Sequence, residues 1–242
     1  MKRVTVLTGM AFAGAAVVGA VAARGPLKAH LSEGTLPGRF GSWLNSYLNG
    51  PSYRLMAAAL APTPEDEVLD VACGWGEFLL SYANQARLVA GIDVSKKKVA
   101  LARQRLAARI AGGTAEVVQG DAGTLPWVEA TFTAVTCMDA FPFFSAPDRV
   151  VAEVFRVLRP GGRMLMQIGM RWPDGPPKHM PHPVSPLAGD EVASRRLVED
   201  AGFREVTITY GRVGGENRLG NAVSRWTAGS DELRLVGAVK PG

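Results

Sequence analysis

The sequence predicts an α/β fold in which a parallel sheet carries helices on both faces. Short apolar runs alternate with amphipathic segments from residue 67 onwards, which is the pattern of consecutive strand–helix units. Two of these runs end in an acidic residue, at Asp70 and Asp93, and the first is followed by Gly74 and Gly76. Glycines permit the tight turn by which a buried strand leads into a helix. We therefore expect a ligand site where the strands end.

Hydrophobic periodicity places seven strands and four helices in this region. The predicted strands lie near residues 67–72, 88–93, 115–119, 132–137, 162–169, 204–210 and 232–239. The predicted helices lie near residues 76–84, 96–111, 147–158 and 190–201. Asp190 is a suitable N-cap for the last helix, and Gly202 ends it. The polar, Gly-rich stretch 211–231 is predicted to be a surface loop.

Size and charge narrow the classes of function. A chain of 242 residues with 47% hydrophobic content is large enough for one globular domain with extensions. The net charge of +5 is spread along the chain as single Lys and Arg residues, apart from Lys96 to Lys98 at the start of a predicted helix. A nucleic-acid footprint is clustered and interleaved with aromatics. We therefore predict no nucleic-acid partner.

The two cysteines, Cys73 and Cys137, are too few for a disulfide framework. They predict free thiols in a reducing compartment, the cytoplasm. Neither belongs to a Cys-x-x-Cys or Cys/His cluster, so no metal site is predicted.

The first 24 residues form a separate segment. Residues 4–23 carry no charge and are rich in Ala, Val and Gly, a length that just spans a hydrocarbon core of about 30 Å. Three interpretations stay open: a membrane anchor, a cleaved signal peptide ending near Ala20–Ala22, and an Ala-rich helix without a membrane role. An anchor would hold the protein at the cytoplasmic face of a membrane.

Residues 25–64 are amphipathic and predict a helical cap that precedes the catalytic region 65–242. Packing on the core explains most of its apolar residues. The family resemblance carried by the motifs further along the chain implies that its aromatic residues Phe40, Trp43 and Tyr47 are also candidates for one wall of a substrate pocket.

Four motifs, in order, resemble those of the class I S-adenosylmethionine-dependent methyltransferases. They read DVACGWGEF, GIDVS, QGDAGTLPW and VFRVLRPGGRMLM, and the resemblance covers roughly residues 65–239. Within that family the sequence is similar to the small-molecule enzymes of ubiquinone and menaquinone biosynthesis. The resemblance implies a Rossmann-like sheet of seven strands, mostly parallel, whose antiparallel last strand inserts beside the sixth. Thr133 stands where similar enzymes often carry Asp, a change expected to affect packing more than chemistry.

The resemblance also implies the cofactor, S-adenosyl-L-methionine, and its contacts. Asp70 and the loop from Ala72 to Gly76 would cradle the methionine part, Asp93 the ribose hydroxyls, and Asp121 with the Ala122 backbone the adenine amino group. The predicted contacts are Asp70, Ala72, Cys73, Gly74, Gly76, Asp93, Val94, Asp121, Ala122 and Cys137.

The fourth strand ends in CMDAFPFFSAPD, at the expected reacting centre. Asp139 either faces the transferring methyl group or caps the loop. Phe141, Phe143 and Phe144 either pack in the core or form an apolar wall for the substrate.

The Pro-rich stretch 170–187 follows the fifth strand and is a candidate lid. It contains Trp172, a candidate pocket residue, together with His179 and His182. A histidine can take a proton near neutral pH, and the alternative is two exposed loop histidines.

These observations predict a methyltransferase that acts on a small, mostly apolar acceptor. The residues do not decide between methylation on O, N, S or C, and they leave the oligomeric state open. One alternative is a catalytically silent cofactor-binding or membrane-tethered interaction domain. A nucleotide dehydrogenase fits less well, because Leu79 stands where its third glycine belongs.

Overall fold

The computed structural model describes residues 50, 52–170, 187, 190–212 and 232–242. The apolar segment 4–23 and most of the predicted cap lie outside these residues. Among the residues it describes, no helix is both long and apolar enough to cross a membrane.

The described residues contain the seven predicted strands. They are β1 Glu67–Val71, β2 Leu88–Asp93, β3 Ala115–Gln119, β4 Phe132–Cys137, β5 Leu158–Met170, β6 Arg204–Arg212 and β7 Glu232–Val239. The α-helices are α1 at residues 52–60, α2 Glu77–Tyr82, α3 Lys96–Arg105, α4 Ala107–Ala111, α5 Pro147–Val157 and α6 Glu191–Asp200. Short 3-10 turns occupy Ala83–Gln85 and Phe141–Phe143.

The strands form one sheet in the order β3-β2-β1-β4-β5-β7-β6. Strands β1 to β5 pair in parallel, and β7 runs antiparallel to both of its neighbours, β5 and β6. The predicted mostly parallel sheet with an inserted, antiparallel last strand is confirmed. Strand order reverses between β1 and β4, which is where open α/β sheets bind ligands.

The core lies in two apolar layers, one on each face of the sheet. The first joins β1, β4 and β5 to α5 and α6 through residues such as Leu69, Val154 and Val198. The second joins the other face to α1, α2 and α3 through residues such as Met56 and Leu79. Successive side chains of a strand point to opposite faces, so these buried runs supply both layers.

The predicted boundaries need three corrections. Strand β5 begins at Leu158 instead of residue 162, and its pairing with β4 shifts register between Phe132 and Ala134. The predicted helix 96–111 is broken at Leu106, and helix α2 ends at Tyr82 before a 3-10 turn. The predicted caps of α6 are confirmed, since Asp190 accepts a hydrogen bond of 2.9 Å from the Ala193 N–H and Gly202 has a φ of 103°.

The amino edge of the sheet, where the parallel strands begin, carries a paired carboxylate. Arg163 donates to both oxygens of Asp66, at 3.0 and 2.7 Å, and the Thr133 hydroxyl donates at 2.6 Å. Burial opposes ionisation of Asp66, yet the hydrogen bonds from Arg163, Thr133 and Thr63 hold its pKa well below the usual range. Thr133 therefore serves packing and hydrogen bonding at the edge remote from the predicted site.

Candidate active site

The carboxyl edge of the sheet, where the parallel strands end, gathers four of the predicted acidic residues. Asp70 lies in β1, Asp93 ends β2, and Asp121 and Asp139 follow β3 and β4 by two residues. No ion pair joins any of them to a residue within the described ranges. This edge therefore holds acidic groups that are open to hydrogen-bond donors or to a cation.

The loop from Ala72 to Gly76 connects β1 to α2, and three of its residues have φ angles in the left-handed region. The φ angles are 58° at Ala72, 56° at Gly74 and 74° at Gly76. A Cβ atom at Gly76 would lie 3.2 Å from the Ala102 Cβ, so close packing on α3 requires glycine there. A Cβ atom at Gly74 would meet no atom within 4 Å, which leaves room for a ligand against the backbone.

Asp93 links this loop to the end of β2. Its Oδ2 accepts a hydrogen bond of 2.9 Å from the Gly74 N–H, and its Oδ1 accepts one of 2.9 Å from the Ser95 N–H. A carboxylate offers about four acceptor positions, so two remain for ligand hydroxyls. The same side chain thus fixes the Gly-rich loop and presents acceptors beside it.

Asp70 is buried behind the loop, with 2% of its surface exposed. The Thr136 hydroxyl donates to its Oδ1 at 2.9 Å, and the Tyr82 hydroxyl lies 3.4 Å from the Thr136 oxygen. Burial raises the pKa of Asp70 to about 7, the nearby Asp93 adds to this increase, and the Thr136 hydrogen bond opposes it. A cationic ligand group beside Asp70 would favour its ionised form.

Asp121 and Val94 lie at the open side of the edge. Asp121 is exposed, and its Oδ1 accepts a hydrogen bond of 2.7 Å from the Gly123 N–H. Val94 is 76% exposed although it is apolar, and Ala122 is half-buried against the core. An exposed valine between acidic residues suits a contact with a flat apolar ring.

Both cysteines are free and buried, as predicted. Cys73 has 7% of its surface exposed, and its N–H donates to the Ile92 carbonyl at 2.9 Å. Cys137 has no exposed surface and belongs to the core layer beneath α5. Core side chains cover the Cys137 side chain, and its contact with the cofactor stays a prediction.

Asp139 follows β4 with a φ of 56°, unusual for a residue other than glycine. The residue is exposed at the rim, and desolvation raises the pKa of its carboxyl group while the Gln167 side chain lowers it. Solvent access to the residue limits the size of that increase. Gln167 itself is only 2% exposed.

The three phenylalanines after β4 divide between core and surface. Phe141 has no exposed surface, and its ring packs edge-on against that of Phe144, 6.2 Å between centroids. Phe141 is thus a core residue and not a pocket wall, whereas Phe143 is 39% exposed. The remaining predicted site residues lie outside the described residues: Phe40, Trp43, Tyr47, Trp172, His179 and His182.

Three polar residues at this edge were not predicted from the sequence: Tyr82, Thr136 and Gln167. Each is buried within an otherwise apolar element, for example Gln167 in the run MLMQIGM of β5. A lone polar residue in a buried strand was the signal available for Gln167, because burying an amide is unfavourable without a partner.

Residues 69–166 match the family model described as a methyltransferase domain. The matched region runs from β1 into β5. It therefore includes the Gly-rich loop and all four acidic residues at the carboxyl edge. This part of the chain is therefore similar to methyltransferase domains.

Two curated relatives are similar to a longer or overlapping part of this chain. The demethylmenaquinone methyltransferase of Deinococcus radiodurans is 40% identical over 112 residues, which are 46% of this chain and 45% of the relative. The erythromycin 3''-O-methyltransferase of Saccharopolyspora erythraea is 30% identical over 171 residues, 63% of this chain and 55% of the relative. The chain therefore spans about half the length of these curated relatives.

A solved structure supports the fold of the methyltransferase domain beyond the matched motifs. The crystal structure of SpnF, a (4+2) cyclase, superposes with a TM-score of 0.60 at 25% identity, covering 78% of this chain and 80% of that chain. The superposed share of the chain is larger than the stretch that the family model matches.

Proposed function

We propose that this protein is an S-adenosylmethionine-dependent methyltransferase that acts on a small, lipophilic acceptor. The observation that carries the proposal is the free space at Gly74, whose N–H donates to Asp93, together with the buried Asp70 that lies near Asp93. The methyltransferase family match and the quinone-methylating relative support the same reading.

The residues at the carboxyl edge fit this cofactor in chemistry. Asp70, whose pKa is about 7, would ionise beside a cationic methionine part, and Asp93 would accept hydrogen bonds from ribose hydroxyls. Val94 would cover the adenine ring, and Asp121 with Ala122 would bind its edge. S-adenosylmethionine supplies an activated methyl group when bound. The chain's own contribution is to hold the acceptor in line with that group and to exclude water.

The acceptor we propose is a quinone-related aromatic ring in its reduced, hydroxyl-bearing form. A methyl group transferred from a sulfonium needs an electron-rich atom, and an oxidised quinone ring is electron-poor. The side chain of Phe143, 39% exposed at the carboxyl edge, provides apolar surface for such a ring. His179 and His182 remain candidates for taking a proton from the acceptor.

Asp139 is the residue we propose as the proton acceptor on the substrate side. It follows the end of β4, beside the point where strand order reverses, and desolvation raises the pKa of its carboxyl group. This role makes it a base for a hydroxyl or an activated carbon.

The second candidate is a domain that binds the cofactor without transferring its methyl group. The match to SpnF, named as a cyclase, favours this possibility, because similar folds carry different chemistry. Turnover separates the two candidates, whereas cofactor binding alone does not.

The direct experiment is to incubate the purified protein with methyl-labelled cofactor and a cell extract, then to separate lipid, aqueous, protein and RNA fractions. We expect label in the lipid fraction, carried by a hydroxyl-bearing aromatic compound. Label confined to protein or RNA would contradict the lipophilic acceptor, and cofactor binding without any transfer would favour the silent domain.

Membrane association through residues 4–23 is part of the same proposal, because it would bring the enzyme to a lipophilic acceptor. Deleting residues 1–23 should move the protein from the membrane fraction to the supernatant without changing its affinity for S-adenosylhomocysteine. Unchanged fractionation of the deletion variant would remove the anchor from the proposal.

A further inference from the structure

Asp70 and Thr136 lie opposite each other on the two central strands of the sheet. The register pairs Asp70 of β1 with Thr136 of β4, and paired residues of parallel strands present their side chains on the same face. On its other side Asp70 is paired with Gly91 of β2, where an added Cβ would lie 2.8 Å from the Cys73 Sγ. Thr136 is therefore the cross-strand side chain that faces the carboxyl group.

Two hydroxyl groups in series lead to the Asp70 carboxyl group. The Thr136 hydroxyl donates to Asp70 Oδ1 at 2.9 Å, and the Tyr82 hydroxyl oxygen lies 3.4 Å from Thr136 Oγ1. Neither Tyr82 nor Thr136 has any exposed surface. A phenol O–H buried in this way needs an acceptor, and the acceptor that the described residues provide is Thr136 Oγ1. Tyr82 therefore donates to Thr136, which leaves the Thr136 proton for another acceptor.

A simpler role for Thr136 would be a hydrogen bond to the backbone of the neighbouring strand. Its Oγ1 lies 3.4 Å from the Leu69 carbonyl oxygen, against 2.9 Å from Asp70 Oδ1. The hydroxyl has one proton, and the shorter contact, to a group that can ionise, is the stronger hydrogen bond. Valine would fill this place in the buried run FTAVTC without a polar group to satisfy. The hydroxyl therefore serves the carboxyl group of Asp70.

The other carboxyl oxygen of Asp70, Oδ2, is open to a ligand. Among the described residues no hydrogen bond reaches Oδ2, and it is not one of the fully buried atoms that lack a partner. The residue is 2% exposed, so this small exposed area includes Oδ2. Two residues further on the chain enters the Gly-rich loop, where Gly74 leaves free space. The protein thus holds one oxygen from behind and leaves the other for a bound group.

We infer that Tyr82 and Thr136 are positioning residues, whose hydroxyl groups act in series to hold Asp70 as a carboxylate that pairs with an ammonium group of the bound cofactor. The inference rests on the proposed function for the identity of that ligand, whereas the two hydroxyl contacts do not. A donor to Oδ1 favours the charged form, and donation by Tyr82 polarises the Thr136 hydroxyl and strengthens its hydrogen bond. Cofactor binding then depends on pH, because a protonated Asp70 must first release its proton to solvent.

The titratable groups that face Asp70 come from each element packed around it: Asp93 from β2, Cys73 from the Gly-rich loop, Tyr82 from α2 and Cys137 from β4. Burial raises the pKa of both thiols and of the phenol, so these three groups stay neutral. Burial of Asp70 and the charge of Asp93 both oppose ionisation of Asp70, and the Thr136 hydrogen bond favours it. Loss of the Thr136 hydroxyl should therefore raise the pKa of Asp70.

The Asp70 pKa of about 7 sets the pH range of the effect. Below that pH the carboxyl group of the cofactor-free protein is mostly protonated, so affinity for an ammonium-bearing ligand should fall by up to about tenfold for each pH unit. Above it the group is already ionised, and affinity should level off. Without the Thr136 hydroxyl the whole curve should move up by about one pH unit, the scale for a hydrogen bond to a charged group.

The test compares Thr136→Val and Tyr82→Phe, which each remove one hydroxyl, with Thr136→Ser, which keeps it. The matched control is Thr133→Val, the same substitution at the amino edge of the same strand. One probe is S-adenosylhomocysteine. The other is 5′-methylthioadenosine, which has the same nucleoside and a thioether but no ammonium group. Calorimetric titration at several pH values between about 5.5 and 8.5 measures both affinities.

We expect the unaltered protein to bind S-adenosylhomocysteine at least about tenfold more weakly at the acid end of this range than at the alkaline end, with a nearly constant affinity for methylthioadenosine. Thr136→Val should lose about a further tenfold at the acid end and less than about twofold at the alkaline end. Tyr82→Phe should act in the same direction by about threefold, since it acts through Thr136. Thr136→Ser and Thr133→Val should follow the unaltered protein.

A loss of affinity in Thr136→Val that is equal at every pH, or equal for both probes, would show that the hydroxyl only supports the fold and would overturn the inference. So would an affinity of the unaltered protein for S-adenosylhomocysteine that does not change with pH. If the unaltered protein binds neither probe, the proposed function fails, and carboxyl-carbon NMR of the ligand-free protein tests the hydroxyl groups separately. The Asp70 pKa should be higher in Thr136→Val than in Thr133→Val, and equal values would overturn the positioning role.

Discussion

At the amino edge of the sheet Asp66 and Glu67 each contact arginine side chains, whereas at the carboxyl edge Asp70 and Asp93 are held by hydroxyl and backbone N–H groups. The paired acids stabilise the fold, because hydrogen bonds to charged groups compensate their burial. The acids without an arginine partner are buried at a cost in free energy, which a ligand that binds to them can offset. The difference indicates which end of the same sheet is built for binding.

The largest effect on stability should come from Arg163→Leu, which removes the arginine partner of Asp66 at the amino edge. Asp66 would keep its burial and lose both arginine hydrogen bonds, so we expect the free energy of unfolding to fall by about 2–4 kcal/mol. Urea denaturation measures this change. Arg87→Leu is the control, since the Arg87 side chain is 55% exposed and Glu67 also contacts Arg159. A surface pair of that kind should contribute about 1 kcal/mol or less. Equal losses in the two variants would contradict the comparison.

Asp93→Ala tests whether an acid at the carboxyl edge serves binding as well as stability. We expect cofactor affinity to fall by about 1.5–3 kcal/mol, the scale for losing hydrogen bonds to a charged group. The structure adds a second effect, because Asp93 also accepts the Gly74 and Ser95 N–H groups, and stability should fall as well. Calorimetric titration with S-adenosylhomocysteine and urea denaturation separate the two. If the variant binds as tightly as the unaltered protein, Asp93 does not contact the cofactor.

Asp70→Asn should improve stability and weaken binding at once. Because the folded-state pKa of about 7 lies above the ordinary value of 3.8, the cofactor-free protein loses stability as pH rises from about 4 through 7. The asparagine variant lacks that loss and should be more stable by about 1–2 kcal/mol at pH 8, with little or no gain at pH 4. Thermal unfolding at the two pH values measures it. A gain that does not depend on pH would mean that Asp70 does not titrate in this range.

The smallest effect concerns two alanines in the left-handed region, one at each edge. Ala72 has a φ of 58° and Ala61 a φ of 48°. Replacing either by glycine relieves strain and adds freedom to the unfolded chain, for a net gain of less than about 1 kcal/mol. Only Ala72→Gly should alter S-adenosylhomocysteine affinity, since Ala72 begins the Gly-rich loop. Equal affinities for both variants would place that loop away from the cofactor.

The fold could be predicted because its information is local. Each strand is a short apolar run, and the turn after β1 carries its own glycines, so order and position follow from the chain itself. The break at Leu106 carries no glycine or proline. The early start of β5 depends on pairing with β4, which sequence periodicity does not describe.

The cofactor side of the site was predictable for a similar reason, whereas the acceptor side was not. Asp70, Asp93 and Gly74 belong to motifs with fixed spacing. Gln167 and Asp139 are 28 positions apart, and both reach the carboxyl edge next to each other's strand only because β4 and β5 pair. Whether Phe141 faces a pocket or the core also depends on tertiary packing. Its side chain is fully buried in the core.

Strand β7 occupies a place in the sheet that does not follow its place in the chain. It is the last strand to be synthesised, yet it lies between β5 and β6 and pairs with both. Until it arrives, β6 has no neighbour to pair with, and one side of β5 is an unpaired edge open to other chains. Completion of the sheet must therefore wait for translation of residues 232–239, and a ribosome that stalls before them leaves an aggregation-prone intermediate.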